Sequence, residues 1–485
     1  MGEAYRIENM TDLSHVNPTI ALGPLDGRYR SVTAPLINSL SEAGLNRARI
    51  HVEIEWLIHL LDADILPAVP HLNDNERAYL RSLVTNFDTT AIDTLAHLES
   101  TTRHDVKAVE YFIGDALVRA GEVIGSTTLP KMREAVHIFC TSEDINNLAY
   151  AITIRAAIED VWLPAARQLR DDLTALARRY RDTAMLARTH GQPATPTTIG
   201  KECAVFAYRL SRQIQRIENT TYLGKINGAT GTYAAHRVAV PEVDWSHVAH
   251  SFISGLGLTM NPLTTQIESH DWQAELYADI ARFNRIAHNF ATDAWTYISL
   301  GYFRQNLSAQ GTTGSSTMPH KVNPIRFENA EANLEISSAL LDTLAQTLVT
   351  SRLQRDLTDS TTQRNIGTAL GHSILALDNL HRGLEGIDID AEVMARDLDA
   401  NWEVLGEAIQ QAMRVAALSG VAGMDNPYER LKELTRGHRV DATEMRAFIV
   451  GLGLPQEMET RLLALTPDSY IGYAAELVDE ITTGC

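Results

Sequence analysis

The residues of this 485-residue chain that could do chemistry gather in polar clusters, each at a break between apolar patterns. Thr141-Ser142-Glu143-Asp144 reads as a helix N-cap with acids in its first turn. The same hydroxyls and free N–H groups could instead hold a carboxylate. Within Arg188–Pro196, His190 is followed by a glycine and two prolines. A regular helix is excluded there, so the imidazole sits in a shaped turn, as a structural residue or as a general acid or base. Gly224–Tyr233 is punctuated by glycines but lacks the closing Lys-Ser/Thr of a phosphate loop, and reads first as a helix connection. Arg352, Arg355 and Arg364 stand among hydroxyls. Arginine forks match carboxylate or phosphate oxygens in pairs, although ion pairs at a solvated helix end would use the same spacing. A further cluster, Thr101–Lys107, places Arg103, His104 and Asp105 just before a helix.

The longest polar stretch is Gly311–Glu328, which reads Gly-Thr-Thr-Gly-Ser-Ser-Thr-Met-Pro-His-Lys-Val-Asn-Pro-Ile-Arg-Phe-Glu. Glycine and the hydroxyl residues argue against a helix, and Pro319 and Pro324 keep it out of a central strand. Composition alone makes it a polar linker, or a loop whose N–H groups, Lys321 and Asn323 could surround an anion as it forms.

The elements that must position these clusters are long helices. Apolar residues step by three and four at Ile158, Val161, Ala165, Leu169, Leu173 and Leu176, and again at Ile199, Cys203, Phe206, Leu210, Ile214 and Ile217. Three more stripes follow: Leu276 to Ile298, Leu334 to Leu348, and Ile366 to Leu384. This period, sustained well beyond the ~11–12-residue average helix, predicts an all-α chain with an up-and-down bundle and polar loops at its ends. The pattern divides into an N-terminal helical domain (1–130), a central bundle (131–383) and a C-terminal helical domain (384–485). Stripes of this length often pack against other subunits, so an oligomer is expected.

Bulk properties narrow the function. A net charge of −19 argues against nonspecific nucleic-acid or anionic-membrane binding, so an anionic substrate would need a local cationic pocket. Cys140, Cys203 and Cys485 are scattered, with no Cys-x-x-Cys pair and no His cluster at metal spacing. Met1 to Arg30 holds no apolar run of signal-peptide length, and no stretch approaches the ~18–20 apolar residues of a membrane span. Neither a disulfide framework nor a structural zinc is expected, and a reducing cytoplasm is the simplest address.

Taken together, the clusters resemble the fumarase/aspartase superfamily of lyases, whose signature loop is matched by Gly314-Ser315-Ser316-Thr317-Met318-Pro319-His320-Lys321-Val322-Asn323-Pro324. Within it, Arg188–Pro196, Ile199–Glu202, Gly224–Gly228, Arg355–Ser360 and Pro427–Leu434 resemble the bacterial adenylosuccinate lyase family, and the likeness runs from Asp26 to Gly472. The resemblance implies three mostly helical domains, a homotetramer and active sites that draw on three subunits. It implies β-elimination of fumarate from adenylosuccinate, giving AMP, and from the succinylaminoimidazole-carboxamide ribonucleotide of the same pathway. Another superfamily lyase, acting on argininosuccinate, aspartate or malate, and a non-catalytic homologue are the alternatives.

By family match Ser315 is the base and His190 the acid that protonates the leaving nitrogen. A serine hydroxyl must lose its proton in a positive, water-poor pocket to serve as a base. Thr141 and Ser142 match residues that hold the succinyl carboxylates. Arg103, His104 and Asp105 match contacts to base and succinyl, and Gln266 a substrate-binding glutamine. Arg28 and Tyr29 match nucleotide contacts, and Arg355, Ser360 and Arg364 the phosphate and ribose end. Ser316, Lys321, Asn323 and Asn329 complete the set. Arg103 stands where some bacterial members carry a neutral side chain.

Overall fold

The computed structural model describes residues 21–66, 68–306, 321–435 and 440–482. Ser315, Ser316 and Cys485 lie outside the described residues. The chain is predominantly helical, as the periodicity requires; the described strands form three two-stranded sheets. No described helix is long and apolar enough to cross a membrane.

Two compact units make up the chain. One comprises Met1–Ala165, Arg216–Arg285 and Asn333–Asp378, and the other Ala166–Gln215, Ile286–Ala332 and Asn379–Cys485. In the first, the helix Glu42–Asp62 is buried on nearly every side from Arg47 to Leu61. Its apolar residues Ile50, Ile54, Leu57 and Leu61 join Leu80, Val84, Val109, Phe112 and Leu117 in one core cluster. Charges inside such a helix must be matched, because an unpaired ion in an apolar interior costs several kcal/mol. Glu55 accepts from Arg81 at 2.7 Å, and Glu53 meets His137 at 2.5 Å. Arg49 reaches Asp105 at 2.8 Å.

The bundle stripes largely bury as expected, with one informative departure. A single π turn, Ile158–Trp162, joins the helices Ser142–Ala157 and Leu163–Arg179. The extra residue advances the phase by one position. Trp162, Ala166 and Ala177 are therefore fully buried, and Val161, Ala165 and Leu176 are only half-buried. A uniform 3.6-residue period could not foresee this shift. Trp162 Nε1 then donates to Ser373 Oγ at 2.9 Å, Ser373 Oγ to Asn284 Oδ1 at 2.9 Å, and Asn284 Nδ2 to Ser337 Oγ at 3.0 Å. This buried polar string ties the π turn to three long helices and fixes their register.

In the second unit, Trp402, Leu405, Ile409, Met413, Met445 and Ile449 form a separate core cluster. A hairpin pairs Ala184–Thr189 antiparallel with Gln192–Thr198 and packs beside the helix Ala391–Asp399.

Candidate active site

Helix termini of the first unit build the site. The helix Ser142–Ala157 begins at Thr141, whose N–H donates to Asp144 Oδ2 at 2.8 Å. Asp144 is fully buried and also accepts from the backbone N–H groups of Asn227 (3.0 Å) and Gly228 (3.1 Å). Lys225 Nζ, equally buried, lies 2.8 Å from Asp144 Oδ1. One carboxylate thus fastens the glycine-punctuated loop to the helix start. The loop in turn meets the segment that carries Gln266. Asn227 Nδ2 donates to Thr264 Oγ1 at 2.9 Å. Gly231, at φ +74°, lies so close to the chain that an added Cβ would stand 2.3 Å from Thr264 O.

His104 caps the helix Asp105–Val123, its Nδ1 accepting from the Lys107 N–H at 3.3 Å. Asp105 Oδ2 receives Arg49 Nη2 at 2.8 Å and Arg364 Nη2 at 3.3 Å. Burial pushes the Asp105 carboxyl up, but Arg49, the Val106 N–H, Arg364 and His104 outweigh it and hold the group below the usual carboxylate range. Arg49 is itself locked by Asn146 Oδ1 at 2.9 Å and Asn46 Oδ1 at 2.7 Å. Arg355 bridges Asp359 at 3.0 Å and Glu143 at 3.1 Å.

These ends surround a cavity of about 510 Å³ lined by Glu99, Arg103, His104, Asp105, Thr141, Ser142, Glu143, Asn146, Gln266, Arg355, Leu357, Ser360, Thr361 and Arg364. Nine sequence candidates meet here: Arg103, His104, Asp105, Thr141, Ser142, Gln266, Arg355, Ser360 and Arg364. Three arginines face three carboxylates across this lining, so within one chain the cavity is a matched field rather than a cationic pocket. Its polarity is preorganised: arginines held at fixed angles, and hydroxyls at a helix start. Leu25, Asp26 and Thr33 line a second cavity of about 350 Å³ that shares Arg364. Arg28 and Tyr29 belong to that N-terminal segment, Arg28 exposed with its guanidinium 5.9 Å from the Tyr29 ring centre.

The remaining described candidates, His190, Lys321, Asn323 and Asn329, belong to the second unit. His190 and Gly191 form the two-residue tip of the hairpin, at φ 55° and 75°. Two successive left-handed residues are the signature of a primed turn, and they hold the exposed imidazole at the tip. The hairpin is braced by Arg188, which donates to Asp397 at 2.6 Å, while Tyr302 also donates its hydroxyl to Asp397. Lys321 and Asn323 lie in a non-helical segment before the helix Ile325–Leu348, and Asn329 is half-buried within that helix.

Sequence reading missed Arg49, Asn146, Asp144 and Lys225 as organisers of the site. The signal was faint: in Arg47–Leu61 charged residues interleave with apolar ones, and a helix buried on all sides there needs an anion for Arg49.

A family model described as "Lyase" matches residues 27–335, well over half of the chain. The solved fumarate lyase from Mesorhizobium sp. BNC1 shares the fold at a TM-score of 0.72 and 19% identity, covering 93% of this chain and 97% of that one. The fold and the first match define a lyase of the fumarase/aspartase superfamily. A second model, "Adenylosuccinate lyase C-terminal", matches residues 351–471. The chain is 47% identical over 461 residues to the adenylosuccinate lyase of Escherichia coli K12, covering 95% of this chain and 98% of that protein. It is 45% identical over 462 residues to that of Haemophilus influenzae, with the same coverage. The chain belongs to the adenylosuccinate lyase family.

Proposed function

We propose that this protein splits adenylosuccinate into AMP and fumarate, and the succinylaminoimidazole-carboxamide ribonucleotide into its carboxamide and fumarate. Near-complete alignment with adenylosuccinate lyases at 47% identity carries the reading. The 510 Å³ cavity supports it, bringing together hydroxyls suited to carboxylates and arginines suited to a phosphate. Thr141, Ser142 and Gln266 hold the succinyl group. Arg355, Ser360 and Arg364 hold the phosphate and ribose, with Arg28 and Tyr29 at the nucleotide. His104, Arg103 and Asp105 contact base and succinyl.

Elimination removes the proton beside a carboxylate, and the C–N bond then breaks. The intermediate gathers a second negative charge on that carboxylate, so donors fixed around it lower the barrier. Ser315 takes the proton and His190 returns one to the leaving nitrogen; Lys321, Asn323, Ser316 and Asn329 surround the developing charge. The reaction calls for no cofactor. The protein works as a cytoplasmic homotetramer with sites shared between subunits. Exposed Val205, Tyr208, Trp295, Ile325 and Ile336 on the long helices supply apolar surface for that assembly. Purified protein should release fumarate from adenylosuccinate. Turnover of argininosuccinate or malate with adenylosuccinate untouched would overturn the assignment.

A further inference from the structure

Behind Arg355 runs a directional string of buried hydrogen bonds that none of the proposed catalytic steps uses. Tyr277 OH donates to Gln273 Oε1 at 3.2 Å, which leaves the Gln273 amide N–H to meet His270 Nδ1 at 3.3 Å. With Nδ1 accepting, the neutral imidazole carries its proton on Nε2, which faces Asp359 Oδ2 at 3.3 Å. The same oxygen receives Arg355 Nη1 at 3.0 Å, and Asp359 Oδ1 accepts the Ser360 N–H at 2.7 Å. Arg355 Nη2 is caught on the other side by Glu143 at 3.1 Å. His270, Gln273 and Tyr277 are all buried to within 1%.

Two observations show that the string holds His270 deliberately. His270 adopts φ 60°, a left-handed conformation that costs a non-glycine residue about 1–3 kcal/mol. Its backbone N–H is fixed by Glu268 Oε2 at 2.8 Å, and Glu268 is itself held by Asn261 Nδ2 at 2.8 Å. Burial drives the Asp359 carboxyl up, and the His270 hydrogen bond is the largest of the influences that bring it below its ordinary range, ahead of Arg355.

We infer that His270 is a positioning residue: it keeps Asp359 aimed, and so sets the angle at which Arg355 presents its guanidinium to the cavity. This rests on the reading of that cavity as the nucleotide site. Without His270, Asp359 loses one of the two side chains that orient it, and the pull of Glu143 on Arg355 is less well opposed. The cost falls on binding of the phosphate-bearing end, not on proton transfer.

The test compares His270→Ala, His270→Gln and Arg355→Met in the full-length protein, reading KM and kcat for adenylosuccinate and inhibition by AMP and by adenosine. A lost hydrogen bond to a charged group corresponds to about a tenfold change. His270→Ala should raise KM and the AMP inhibition constant about tenfold, with kcat and adenosine inhibition little changed. His270→Gln keeps an N–H within reach of Asp359 and should restore most of the loss. If His270→Ala does not fold, Asp359→Asn preserves the shape, removes the charge and must give the same split. Unchanged constants in His270→Ala, where Arg355→Met raises them, overturn the inference alone. An Arg355→Met variant without effect on either constant sinks the site reading and the inference together. Equal falls in kcat and thermal stability for both His270 variants mean a structural role and also overturn it.

Discussion

A single buried charge shows how tightly this site is tied to folding. Arg49 has side-chain exposure of 2% and three hydrogen-bond partners, Asn146, Asn46 and Asp105, with Glu42 3.8 Å away. Removing it strands Asp105 beside Arg364 and leaves two amide oxygens without a donor. Arg49→Met should therefore destabilise the fold by about 3–5 kcal/mol, the scale for breaking a buried pair, and chemical denaturation would measure it. Ser315 and His190 behave differently, because the proposed roles lie in proton transfer rather than packing. His190 is exposed at a hairpin tip, so His190→Ala should keep its melting temperature while kcat drops by about 10²–10⁴. Ser315→Ala should match that kinetic loss, and near-normal turnover in it would remove serine as the base.

Glycine geometry decides at the scale of elements. Gly231 is at φ +74°, and a Cβ there would press on Thr264 O and Thr265 O at 2.3 and 2.9 Å. Gly231→Ala must push this segment, and with it Gln266, away from the helix start at Thr141. We expect KM for adenylosuccinate to rise and stability to fall by about 1–3 kcal/mol, both readable from steady-state kinetics and thermal melts. Gly191 offers a contrast, since it also has positive φ but nothing lies within 4 Å of a new Cβ. Its replacement strains only the turn. Gly191→Ala should affect kcat through the placement of His190, with little change in KM.

Near neutral pH the histidines govern how stability responds, and they pull in opposite directions. Burial lowers His51, His59, His236 and His372 below the ordinary imidazole value. Groups with depressed folded pKa values contribute stability above the unfolded value of about 6.5, lost as pH falls through the folded value. His137 runs the other way. Burial pulls it down, but hydrogen bonding and charge from Glu53, then Glu110 and Asp144, raise it. Its contribution is full below about pH 6.5 and fades as pH rises through the raised folded value. Four against one, the melting temperature should decline below about pH 6. The penalty of His137→Asn should nevertheless be largest in mild acid and shrink toward alkaline pH. A penalty that grows with pH would contradict the Glu53–His137 pairing. For the proposed tetramer, mixing inactive Ser315→Ala and His190→Ala proteins after subunit exchange should regain activity. No regain would place both residues of a site on one chain.

Residue order was enough for the helical class, most of the stripes that bury and the polar clusters at the breaks between them. Periodicity and turn chemistry are local properties, and they survive without knowledge of neighbours. The family likeness rests in the same way on residue order, above all in Gly311–Glu328. Tertiary structure alone decided which clusters share a cavity: Arg103–Asp105, Thr141–Ser142, Gln266 and Arg355–Arg364 meet although up to 261 positions separate them. It also revealed the π turn that shifts the Trp162 stripe, and the carboxylates that take up the arginines' charge. Such pairings depend on burial and on atoms far apart in the chain. No spacing rule encodes them, because the partners of Arg49, Asp144 and His270 are chosen by the way helix ends pack.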